Sequence, residues 1–163
     1  MIKSPRVAAA MATALAGTAL IAAPAIATKV GGGPAPQRDS GTSYASITHT
    51  RHGLEYAAGN NYDKVLGEGA ITYQLKLIPN SNGTIHVKVP KVVLFTTTGS
   101  LTGTASATVT INGSNEQITN GKLDLKKGNG TLKGKQFSGT FTGTGDLAKN
   151  LITFNYKGLI ITP

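Results

Sequence analysis

Apolar and polar residues alternate along most of the second half of the chain, and the period is two. Ala70-Ile71-Thr72-Tyr73-Gln74-Leu75-Lys76-Leu77 places Ile71, Tyr73, Leu75 and Leu77 on one face, as a half-buried strand requires. Ile85-His86-Val87-Lys88-Val89 repeats the pattern, and Pro90 then interrupts it, which predicts a bulge or an edge position. Val92-Val93-Leu94-Phe95 is apolar at every position, so both faces of that strand are expected to be covered. Val109 and Ile111 share a face, as do Leu123 and Leu125. Between Lys127 and Gly158, short runs of Thr, Phe, Tyr and Ile alternate with closely spaced glycines. Such runs suit strands that meet at tight turns.

Turn signals divide these strands. Pro79-Asn80-Ser81-Asn82-Gly83, Asn112-Gly113, Asn120-Gly121 and Asn129-Gly130 each read as a turn, Asn-Gly being a strong short hairpin signal. Gly59-Asn60-Asn61 reads as another, after a weak first strand around Ile47, Leu54 and Tyr56. No amphipathic helix is evident. Seven or eight strands at about ten residues per strand and turn predict an all-β domain, either an up-and-down barrel or a sandwich.

The N-terminal pattern differs. Lys3 and Arg6 precede an almost wholly apolar, alanine-rich run from Val7 to Ile26, and Pro24 stands just before Ala25-Ile26-Ala27. This predicts a signal peptide over 1–27 and a secreted, extracellular protein with no stable membrane insertion after cleavage. Residues 28–45 are rich in Gly, Pro and Ser and are expected to form a flexible linker, leaving 46–163 as the β-barrel domain.

Composition removes whole classes of chemistry. The absence of cysteine excludes a disulfide framework, a thiolate metal site and a cysteine nucleophile. The formal charge of +9 falls to +7 once Lys3 and Arg6 are cleaved away, and lysines that keep strand edges soluble account for it ahead of contact with an anionic polymer or lipid. The lysines at 122, 126, 127, 133 and 135 lack the interleaved aromatics of a single-strand binder, so no specific nucleic acid is expected. His49, His52 and Glu55 form the most metal-like cluster, but the odd spacing of the histidines puts them on opposite faces of a strand. Gly128-x-Gly130-x-x-x-Gly134 is followed by strand signals and not by the helix that a phosphate loop needs. No cofactor and no metal are expected.

One resemblance adds to this reading. Gly99-Ser100-Leu101-Thr102-Gly103-Thr104, Asn120-Gly121-Lys122-Leu123, Gly128-x-Gly130-x-x-Lys133-Gly134, Gly139-Thr140-Phe141-x-Gly143-Thr144 and Phe154-x-Tyr156-Lys157-Gly158 together resemble secreted actinobacterial proteins related to the allene oxide cyclase and dirigent-like barrels. The resemblance covers roughly the last 65 residues. It implies one antiparallel barrel of about eight strands with a central apolar cavity, and a homo-oligomer, often a trimer. It also implies a role on oxylipins or phenoxy radicals, but no match to the family's acidic or other polar active-site residues is found. The leading expectation is therefore a non-enzymatic protein that binds a small apolar ligand in the barrel. Tyr73, Leu75, Phe141, Phe154 and Tyr156 are the expected ligand-binding residues. The alternative is an isomerase, cyclase or dirigent-like protein acting on a lipid-derived or phenolic substrate.

Overall fold

A computed structural model describes residues 34–163. These form one closed barrel of eight antiparallel strands, each hydrogen-bonded to its neighbours in chain order, with β8 returning to β1. The strands are β1 (Gln37–Arg51), β2 (Leu54–Asp63), β3 (Gly67–Pro79), β4 (Ile85–Thr96), β5 (Gly99–Asn112), β6 (Asn115–Gly130), β7 (Gln136–Asp146) and β8 (Leu151–Ile161). The expected all-β barrel is what the chain forms, and closure leaves no free sheet edge. The signal-peptide reading of 1–27, and the linker reading as far as residue 33, lie outside the described residues.

The linker boundary is corrected. Residues 37–45 belong to β1, pairing with β8 from Gln37 to Ala45 and with β2 from Gly41 onward. Apolar alternation is missing there because the inward positions of β1 are Asp39, Gly41, Ser43 and Ala45, small or polar residues lying opposite Gly158, Tyr156, Phe154 and Ile152. Gly41 has a specific reason: a Cβ there would collide with the Tyr156 hydroxyl.

Two turn readings also change, and one turn was missed. Gly59-Asn60-Asn61 lies within β2, and Asn120-Gly121 lies within β6 at a bulge, with Asn120 at φ 52°. The missed turn is His52-Gly53, where both residues have positive φ (51° and 74°), as a two-residue type I′ connection demands. The weak first strand is thus two strands joined there. Asn129-Gly130 ends β6, and Asn112-Gly113 opens the β5–β6 hairpin. Pro90 sits in a bulge, where the β4–β5 register shifts between Val89 and Val92.

The register divides the Val92–Phe95 run. Val92 and Leu94 lie opposite Tyr73 and Ile71 and point inward, so Val93 and Phe95 point outward. Val93 is nevertheless 9% exposed, covered within its own chain, and Phe95 is 42% exposed.

Candidate ligand-binding cavity

The interior has two unlike halves. At the end carrying the β2–β3, β4–β5 and β6–β7 turns it is filled by Leu101, Leu125, Leu132, Phe137 and Ile160. At the end carrying the other four turns it is hollow. An eight-stranded barrel is just wide enough to be filled by its own side chains or to hold one small ligand. Residue size therefore decides: Ala57, Ala105, Ala107 and Gly145 stand at inward positions in the upper half. The resulting cavity is about 280 Å³ and is walled mainly by aliphatic side chains, among them Ile71, Leu75, Val87, Ala107, Val109 and Ile118. That is near the lower end of small-molecule sites, roughly 300–1,000 Å³.

Aromatic rings separate the halves. Tyr73 meets Phe154 edge-on with centroids 6.1 Å apart, Phe141 meets Phe154 at 5.4 Å, and Phe137 meets Tyr156 edge-on at 5.7 Å. Tyr73, Phe141 and Phe154 line the cavity, as does Leu75. Tyr156 is not part of that lining. Tyr156 points inward, but at the closed end, below Phe154. Alternation reveals which face a residue takes, but not its height along the axis.

Polar groups gather at both ends, and each group contains acids and one buried oxygen without a partner. At the closed end Ser43 Oγ donates to Asn61 Oδ1 (2.5 Å), Asn61 Nδ2 donates to the Tyr156 hydroxyl (2.9 Å), and that hydroxyl donates to Asp63 Oδ2 (2.6 Å). Asp63 Oδ1 also accepts the backbone N–H groups of Val65 and Leu66, which ties the β2–β3 turn. Asp39 lies beside Asp63. Burial, then the hydrogen bond and negative charge of Asp63, push its carboxyl up to about 7. Burial first, and Asp63 second, raise the Tyr156 hydroxyl.

At the open end the Tyr73 hydroxyl is unpartnered, and Glu55 and Glu116 have no cationic side chain within salt-bridge distance among the described residues. Tyr73 is 7% exposed, and its hydroxyl has no hydrogen-bond partner. Burial raises that hydroxyl, with a further contribution from the charge of Glu116. The Glu116 carboxylate lies over Gly145, where any Cβ would meet it, and burial followed by the charge of Glu55 pushes its carboxyl above the ordinary range. Glu55, Glu116, Asp146 and Asn150 line the cavity with the apolar residues. Asn150 closes the wall: its amide receives Ile47 N–H (3.1 Å) and donates to Ile47 C=O (2.8 Å), replacing a strand partner where β1 bulges.

The residues of the metal-like cluster do not converge. His49 is exposed and stacked on Tyr56 at 4.4 Å, His52 forms the β1–β2 turn, and Glu55 faces the cavity. Sequence reasoning missed Glu55 and Glu116 as cavity residues. The available signal was parity: Glu116 stands two residues before inward Ile118, and Glu55 two before inward Ala57.

The fold and this site define a closed eight-stranded antiparallel barrel, filled at one end and hollow at the other. No family model, curated protein or solved structure matches the chain.

Proposed function

We propose that the protein is a secreted binding protein, working as a homo-oligomer, that holds a small, mainly apolar molecule in its barrel. The observation that carries this reading is the 280 Å³ cavity, walled by aliphatic and aromatic side chains on a strand scaffold and reached from one end. Rigid strands preform the site, so little ordering cost opposes binding. The test is uptake of the neutral apolar dye phenylnaphthylamine. Fluorescence should rise and saturate at one dye per chain. A barrel that never takes up the dye, and that carries no co-purifying molecule in native mass spectrometry, ends the proposal.

One observation favours a second reading, an isomerase or cyclase acting on a lipid-derived or phenolic substrate. Tyr73 and Glu116 line the same apolar cavity, offering a hydroxyl that donates and a carboxylate that accepts a proton. Glu116 is shifted in the direction that suits a base working near neutrality. Incubation of the protein with unsaturated lipid epoxides, followed by chromatography, tests this reading, and unchanged substrate at stoichiometric enzyme rules against it.

A further inference from the structure

Charge is segregated in this barrel against its overall sign. The chain carries sixteen Lys and Arg against seven Asp and Glu. Yet all charged side chains that line the cavity are acids: Glu55, Glu116 and Asp146. Of these, Asp146 is neutralised by Lys149 at 2.9 Å. Glu55 and Glu116 have no cationic side chain within salt-bridge distance among the described residues, and they act on each other across the cavity. Beneath them the buried Tyr73 hydroxyl is left without a partner.

We infer that the cavity is built for a cationic amphiphile, an apolar body ending in a protonated amine, with the amine held between Glu55 and Glu116. This rests on the binding reading above and names the ligand class for that site. Two carboxylates in a partly desolvated mouth repel each other, and a cation placed between them removes that repulsion and supplies charge-assisted hydrogen bonds. A fatty-acid-like anion would add a third negative charge beside Glu116, with no Lys or Arg in the wall to receive it. The Tyr73 hydroxyl then offers a hydrogen bond to a polar group on the ligand body, satisfying a buried donor that the protein leaves unpaired.

The overall field makes the inference sharp. A strongly basic surface attracts anions, so non-specific association favours a carboxylate probe over an amine. Preference for the amine can therefore come only from the mouth. The experiment displaces phenylnaphthylamine with decylamine, decanol and decanoate at pH 7.5, each below its micelle concentration. Decylamine should displace most tightly and decanoate least, with a gap of about tenfold or more, the effect of one charge-assisted contact. In the Glu55→Gln/Glu116→Gln protein the order should collapse, each displacement being read against that protein's own dye affinity. Wild-type protein that binds dye but prefers decanoate, or shows no preference, overturns the ligand class and leaves the binding reading intact. So does an amine preference that survives the double substitution. Failure of the dye to bind ends both. The wild-type series decides the matter even if the double variant does not fold.

Discussion

The Tyr156 hydroxyl donates to Asp63 at 2.6 Å, and the Asp39 carboxyl lies buried beside the same acid. The first prediction follows from this buried pair. Asp39 is pushed up to about 7 in the folded protein from an ordinary value of 3.8. Between those values the folded protein holds a proton that the unfolded chain has released. Stability is thus fully present below the ordinary carboxylate range, falls as pH rises toward 7, and is level above. Asp39→Asn removes this dependence. Denaturant unfolding at pH 4 and pH 8 should show the variant gaining on wild type by roughly 1–3 kcal/mol across that interval. Parallel pH profiles would show that Asp39 is not the group responsible.

Tyr156→Phe tests the network itself. It leaves Asp63 Oδ2 and Asn61 Nδ2 short of a partner inside the barrel, at a cost of about 1–3 kcal/mol. Because Tyr156 lies outside the cavity wall, dye affinity should be unchanged. A variant as stable as wild type would mean that water replaces the hydroxyl and that the closed end is less dry than its burial indicates.

The fold was legible wherever large apolar residues alternated, as in Ile71-Tyr73-Leu75 or Phe154-Tyr156, because burial of one strand face leaves a period of two in the sequence. It was not legible in 37–45. There the inward residues are small because the facing strand supplies the bulk, so Gly41 and Ser43 pack under Tyr156 and Phe154 while resembling a linker. Asn120-Gly121 carried a turn signal that the structure spends on a bulge, since a positive φ serves either purpose. The aromatic floor of the cavity was predicted, but its two glutamates were not. Acids near hairpin turns normally face solvent, and only the parity of Glu55 with Ala57 and of Glu116 with Ile118 points them inward.

Filling the void gives a prediction that stability data alone cannot. Ala107 is buried in the cavity wall, and Ala107→Phe would extend a ring into the space. In a tightly packed core such an insertion costs about 1–3 kcal/mol. Here the ring enters empty volume, so the thermal midpoint should hold or rise while dye uptake is lost. Leu101→Ala is the contrast. Leu101 is fully buried in the filled half, and its truncation should cost about 2–5 kcal/mol with dye affinity retained. If Ala107→Phe still binds dye with wild-type affinity, the dye does not occupy this cavity.

The last prediction concerns the outer wall. Phe95 on β4, Tyr44 on β1 and Tyr62 on β2 are all large and exposed, at 42%, 45% and 45%. The cross-strand register runs Tyr44–Asn60–Ala70–Phe95 along one row, with Tyr62 beside it and edge-on to Tyr44 at 6.0 Å. Because Val93 is covered within its own chain, Phe95 is the member of the Val92–Phe95 run that still presents a large apolar surface. A second copy of the chain is the proposed cover. Burying the Phe95 ring contributes roughly 1.5–3 kcal/mol per subunit before association costs. Sedimentation of the wild type at micromolar concentration should give an oligomer, and Phe95→Lys should give a soluble monomer with the same circular dichroism. Val93→Lys should instead lower stability, since it places a charge where the chain already excludes water. A wild type that sediments as a monomer leaves Phe95 a solvent-facing residue and removes the case for an interface on this wall.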